Sequence, residues 1–252
     1  MLLLAIETSS RRGSVALFGD DGLLRESVFP EGLIHGREIT VRIDDLLRQE
    51  GKTARSLTAI AVGLGPGSFT GIRVGVTTAK AMSFALRIPV LVESSLRITA
   101  ANAVPSGVAG TGSPGEQGPP GRILTVLDAR QGAWFWAVHE AAGSASGSDS
   151  AVCPLLPDAA GEPSAIADAV RGLGGDGVVI GEGADAFLAR SPGFPWPRGP
   201  GPWDLPTARR LGEMAAVRAA EAAFDGELTH RLEPAYLRAT EAERKLEARR
   251  GK

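Results

Sequence analysis

One eleven-residue stretch limits what this chain can fold into more than any other: Gly65-Pro66-Gly67-Ser68-Phe69-Thr70-Gly71-Ile72-Arg73-Val74-Gly75. It follows a short β-branched run, Ala59-Ile60-Ala61-Val62, and opens a helical pattern that reaches Leu86. Glycine lets backbone pack closely on backbone, and at 65 and 67 it also permits positive φ. A glycine-rich turn between a strand and a helix leaves N–H groups pointing outward, the start of an anion site. The same spacing suits a turn whose glycines serve only tight packing, and the residues leave both readings open. Two familiar chemistries are excluded. No Gly-Lys-Ser/Thr ending follows, so the turn is not a Walker phosphate loop. Ser68 has Pro66 two residues before it and Thr70 two after, so it is not a G-x-S-x-G nucleophile elbow.

The flanking segments predict an α/β fold. Leu2 to Ile6 is a continuous apolar run, the pattern of a central strand covered on both faces, and it ends in Glu7-Thr8-Ser9-Ser10. Strands follow at Ser14–Phe18 and Leu23–Phe29, joined by the turn residues Gly19-Asp20-Asp21-Gly22. Ile39, Ile43, Leu46 and Leu47 share one face of a helix over 36–50, with Gly51 as its C-cap. Pro89 stops the helix that begins in the glycine-rich turn, and Val90–Val92 supplies a fifth strand. This order predicts one mixed sheet, an antiparallel meander plus parallel crossovers covered by helices. The helix over 71–86 is apolar on more than one side. Ile72, Val76, Ala79 and Leu86 make one stripe, while Val74, Ala81, Met82 and Ala85 make others. With only five strands to cover it, such a helix is expected to meet a partner chain.

The second half echoes the first more faintly. Residues 104–121, rich in Gly, Pro and Ser, read as a flexible insertion. A strand over Ile123–Leu127 ends in Asp128-Ala129-Arg130, as the first strand ends in Glu7, and pairs with Trp134–His139. A small-residue linker over 141–150 precedes helices near 163–171 and 184–190 and a strand at Val178–Ile180. Beyond a Pro/Gly loop over 191–206 come a helix over 207–224, an extended segment over 232–238 and a charged tail from 241. The division expected is 1–98, 99–206, and a C-terminal piece 207–252 packing back on both lobes.

Composition narrows the function classes. A net charge of −2 over 252 residues argues against a dominant nucleic-acid-binding surface. Cys153 is the only cysteine, so no internal disulfide forms and a reducing, cytoplasmic setting is expected. The apolar start meets Glu7 after six residues and lacks a basic leader; it reads as a buried strand rather than a signal or membrane span. His35, His139 and His230 share no ligand spacing, which argues against a metal site. Glu7 ends a sheet strand, where ligand chemistry gathers, or else accepts hydrogen bonds from its own turn. Arg11, Arg12, Arg73 and Arg130 are candidates to line a cleft. No acid/base pair and no nucleophile with a base emerges.

Leu4-Ala5-Ile6-Glu7-Thr8-Ser9, the 65–75 run, Asp128-Ala129-Arg130 and Pro234-Ala235-Tyr236-Leu237-Arg238 together resemble the bacterial TsaB (YeaZ) family, whose motifs occur in this order. The resemblance implies an actin-like (ASKHA) α/β fold of two RNase H-like lobes, with mixed sheets flanked by helices. It also implies a non-catalytic subunit that supports TsaD in forming N6-threonylcarbamoyladenosine at position 37 of tRNAs reading codons that begin with A. The family usually has Asp where this chain has Glu7. Against the metal-binding H-x-x-x-H pair of TsaD, this chain sets Ser95 and Thr99. The implied partners are TsaD, the ATPase TsaE and, in isolation, a second copy; tRNA is met only indirectly, and no membrane. Ile39, Ile43, Leu46, Ile72, Arg73, Val76 and Ala79 would form the partner interface. Glu7, Thr8, Ser9, Gly67, Ser68 and Gly71 would be a vestigial nucleotide or anion site. No metal or cofactor is implied beyond weak ATP or ADP binding. The rival reading is an actin-like kinase or carbamoyltransferase acting alone through Glu7 and the 67–71 turn.

Overall fold

A computed structural model describes residues 1–31, 36–104, 121–141 and 152–238. His35, the insertion over 105–120, the linker over 142–150 and the tail from 241 lie outside the described residues. The first half forms a five-stranded sheet from β1 (Leu3–Glu7), β2 (Ser14–Gly19), β3 (Gly22–Val28), β4 (Ala59–Gly63) and β5 (Val90–Glu93). Their order is β3-β2-β1-β4-β5. β1 pairs antiparallel with β2, Leu3 opposite Phe18 and Glu7 opposite Ser14, and parallel with β4, Leu3 opposite Ala59. The second half builds a smaller sheet on the same plan from β6 (Arg122–Asp128), β7 (Trp134–Ala141), β8 (Val152–Gly161) and β9 (Val178–Ile180), ordered β8-β7-β6-β9. β6 repeats β1: antiparallel to β7 on one side and parallel to β9 on the other.

β1 is buried along its whole length because each face has its own cover. Leu2, Leu4 and Ile6 face a core with Ile60 and Val62 of β4, beneath α1 (Gly36–Gln49) and α2 (Phe69–Leu86). Leu3 and Ala5 face the opposite core with Ala16, Phe18, Ala59 and Ala61. Four alanines on that face keep it shallow, so α6 (Ala208–Ala219) can lie close: a Cβ at Gly212 would overlap the Phe18 ring. Burial of such faces is the main favourable term in folding, about 25 cal/mol per Å² of apolar surface.

The two lobes exchange helices. α3 (Ser95–Ala101) follows β5 of the first sheet, yet it packs on β6, β7 and β8 of the second. α6 follows the second sheet, yet it packs on β1, β2, β3 and β4 of the first. The guanidinium of Arg210 on α6 donates to the carbonyls of Ala101 and Val104, capping the end of α3 and tying the two exchanged helices together. One apolar cluster therefore runs from Leu3 and Phe18 through Ile98 and Leu211 to Ile123 and Ile180. The far face of the second sheet is covered by α4 (Pro163–Leu173), α5 (Ala184–Arg190) and Trp196.

Four elements differ from the sequence expectation. α3 is a seven-residue helix where the residue pattern gives none, although Ser94 caps it by accepting from the Arg97 amide at 3.3 Å. β8 carries Pro154 and Pro157, which argue against a strand; it sits at the sheet edge, where missing N–H groups are tolerated. α7 (Gly226–Arg231), capped by Asp225, precedes the extended 232–238 segment, and α6 stops at Ala219 rather than continuing to 224.

Candidate functional site at the interlobe cleft

Glu7 closes β1 and is fully buried. Its Oε1 accepts the Ser9 amide at 2.7 Å, and its Oε2 accepts the Ser95 hydroxyl at 3.1 Å. The same Ser95 Oγ accepts the Gly65 amide at 3.2 Å. Burial pushes the Glu7 carboxyl above its ordinary 4.5, against the lowering effect of those Ser9 and Ser95 hydrogen bonds. Gly63 has no side chain because a Cβ there would overlap the Glu7 carboxylate. Of the two readings open for Glu7, the geometry supports acceptance of hydrogen bonds from its surroundings, with α3 added to them.

The glycine-rich turn is filled by protein. The Ser68 amide donates to the Ser9 carbonyl at 2.6 Å, and Thr8 Oγ1 donates to the Gly71 carbonyl at 2.8 Å. Ser68 Oγ caps α2 by accepting the Gly71 amide at 3.3 Å. A Cβ at Gly67 would strike the Ser9 carbonyl, one at Gly71 the Thr8 carbonyl, and one at Gly75 the Thr8 hydroxyl. These glycines are where two backbones touch. The amides at Ser68 and Gly71, which an anion would need, are already used by the protein.

Between the lobes lies a narrow cleft whose open volume, about 10 Å³, is about that needed for one water molecule. Ser9, Ser10, Pro66, Ser95 and Thr99 line one wall; Thr125, Leu127, Glu182 and Asp204 line the other. Ser95 and Thr99 stand one turn apart on α3, with Thr99 Oγ1 donating to the Ser95 carbonyl at 2.8 Å. Arg11 bridges the rim, its Nε 3.2 Å from Glu182 and 3.6 Å from Glu31. Burial raises the Glu182 pKa, with Arg11 opposing. Arg198 holds Asp204 at 2.5 Å and Asp185 at 2.9 Å. Among the described residues, no three of His, Cys, Asp and Glu gather as metal ligands do. Of the four arginines proposed for the cleft, Arg11 reaches its rim, while Arg73 stacks on Phe69, 4.5 Å from the ring centroid. The sequence reading missed Thr125, Glu182 and Asp204. Glu182 has a findable signal, lying just past the C-terminal end of β9; Asp204 has none.

The expected partner interface requires correction. Ile39, Ile43, Leu46, Ile72, Val76 and Ala79 are each at most 4% exposed and belong to the chain's own core under the first sheet. Their stripes turn inward because α1 and α2 lie side by side on one sheet face. Of the second apolar side of α2, Val74 and Met82 pack partly against the same core, while Ala81 and Ala85 are exposed. Of the seven, only Arg73 is exposed. The outer faces of these helices present Val41, 51% exposed, with Thr77 and Ala81.

Two RNase H-like sheets in tandem, their central strands ending at a shared cleft, define a two-lobed α/β protein of the actin-like class. Comparison with known proteins narrows that class. The family model for TsaD, tRNA N6-adenosine threonylcarbamoyltransferase, matches residues 32–154. The chain is 28% identical over 187 residues to the tRNA threonylcarbamoyladenosine biosynthesis protein TsaB of Escherichia coli, covering 74% of each. It is 31% identical over 140 residues to TsaB of Bacillus subtilis, covering 56% of each. YeaZ from Pseudomonas aeruginosa superposes with a TM-score of 0.71 at 25% identity, covering 94% of this chain and 99% of that one. Over most of its length the chain is similar to the TsaB and YeaZ proteins.

Proposed function

We propose that this chain acts in tRNA threonylcarbamoyladenosine biosynthesis as a non-catalytic subunit that docks a TsaD-type threonylcarbamoyltransferase. The observation that carries the reading is the closed state of its own would-be active site. Glu7 is sealed under Ser9 and Ser95, the glycine turn is packed with the 8–9 backbone, and the cleft rim is bridged by Arg11. A chain of this architecture whose cleft is filled retains its surfaces as its functional parts. The outer faces of α1 and α2 are the docking surface of this reading; in the partner's absence the same faces would pair two copies. A TsaE-type ATPase is the further partner, with tRNA reached through the complex. Residual ATP or ADP binding would be weak, since the cleft must open to admit a nucleotide.

The test is calorimetry with a purified TsaD-type enzyme. Wild type should bind it, and Val41→Asp, at a half-exposed site, should keep the fold while weakening binding about tenfold or more. Val76→Glu is no such probe: it buries a charge in the chain's own core and should unfold it. Unchanged affinity in Val41→Asp would move the docking surface off α1. Tight magnesium-ATP binding with turnover by the isolated chain would replace the proposal with the autonomous enzyme.

A further inference from the structure

We propose that residues 232–238 are a strap that holds the two lobes at one fixed opening of the cleft. This stretch carries the Pro234-Ala235-Tyr236-Leu237-Arg238 motif, which the function above leaves unused. The chain leaves α7 with Lys80 of α2 holding it: Nζ donates to the carbonyls of His230 at 2.7 Å and Leu232 at 3.0 Å. The Ala235 amide then donates to the Leu64 carbonyl at 2.9 Å, at the end of β4. Tyr236 lies against Phe69, ring centroids 5.3 Å apart, and Arg73 covers Phe69 as well. All of these anchors belong to the first lobe.

Arg238 reaches the second. Its Nη1 donates to the carbonyls of Ala129 at 3.1 Å and Arg130 at 3.0 Å, in the turn between β6 and β7. That turn is unusual backbone, with φ of +63°, +55° and +81° at Arg130, Gln131 and Gly132, steadied by the Arg130 amide on Asp128 Oδ1 at 2.6 Å. Leu64 stands two residues before the cleft-lining Pro66, and Ala129 two after the cleft-lining Leu127. The strap therefore joins the two strand ends on either side of the cleft. On the sheet faces, the lobes are joined by the shared core through α3 and α6. A hinge of apolar packing on that side and a hydrogen-bonded strap at the strand ends are together what define a single lobe angle. The guanidinium suits this position because one of its nitrogens carries two hydrogens and meets two carbonyls at once.

The experiment pairs spin labels at Arg12→Cys and Ala186→Cys, exposed positions on opposite lobes, in a Cys153→Ser background. The parent should give one narrow distance distribution. Arg238→Ala should broaden or split it, and should speed amide exchange at Ala235 and across 129–133 by about tenfold or more. Arg231→Ala, which removes an exposed pair with Glu227 off the strap, is the control and should change neither. An Arg238→Ala chain with the parent's distribution and exchange overturns the proposal. So does one that loses its circular dichroism and cooperative melting, because the segment would then be part of the core and not a strap.

Discussion

Gly71 and Gly172 are the same residue in two helices, and their surroundings give substitution opposite signs. At Gly71 a methyl group would strike the backbone carbonyl of Thr8, which cannot move because Thr8 is itself bonded to the Gly71 carbonyl. At Gly172, on the exposed side of α4, nothing lies within 4 Å of an added Cβ. Gly71→Ala should therefore destabilise by about 3 kcal/mol through overpacking. Gly172→Ala should stabilise by about 0.5–1 kcal/mol by removing helix-disfavouring freedom. Urea midpoints at constant m-value measure both; shifts of the same sign would mean that the turn is not packed as described. The same close approach packs the glycine-rich turn against the backbone of residues 8 and 9.

At the scale of elements, strand β7 buries a titratable group among apolar neighbours. His139 is 2% exposed, and burial, with the nearby positive charge of Arg97, lowers its pKa from 6.5 to about 4. The folded chain thus holds this imidazole neutral where the unfolded chain would protonate it. Its contribution to stability is therefore fully present above about pH 6.5 and is lost as pH falls toward 4, amounting to at most about 3 kcal/mol. Glu7, Glu26, Asp158 and Glu182 have raised pKa values and work in the opposite direction, losing stability as pH rises past their unfolded values. Subtracting the stability–pH curve of His139→Leu from that of wild type cancels them and should leave a slope confined to about pH 4–6.5. A flat difference would show that His139 is not shifted in the folded state. Helices α1 and α2 show the reach of packing at this same scale. One sheet face and each other cover the stripes through Ile39 and Ile43 and through Ile72, Val76 and Ala79, and leave Val41, Ala81 and Ala85 outside.

For the whole molecule, the exchange of α3 and α6 means that neither lobe is complete in its own stretch of sequence. Removing residues 207–252 would strip Leu211, Met214, Ala215 and Ala219 from the face of the first sheet and uncover Leu3, Ala5 and Phe18. It would also remove Arg210 from the end of α3. A chain ending at Pro206 should show no cooperative thermal transition by circular dichroism, because no 1–206 unit has a closed core. Cooperative melting of that truncation near the wild-type temperature would mean that the first lobe stands without α6. The exchange also predisposes the two lobes to move as coupled bodies, which is why the strap at their far side matters to the cleft.

The local order of residues determined the first sheet almost strand for strand, the two helices on its outer face and the position of the glycine-rich turn. Each of these is written in short-range pattern: apolar runs, alternation, caps, and prolines that stop helices. The residues also pointed to Glu7 and Ser68, although not to what they touch. Only the tertiary structure decided that α3 and α6 trade sheets, that β8 survives two prolines by lying at an edge, and that Glu182 and Asp204 come to the cleft. It also decided that the stripe of Ile72, Val76 and Ala79 faces inward to the chain's own sheet. The physical reason is that hydrophobic burial is non-directional: periodicity shows that a face must be covered, and is silent about which surface covers it.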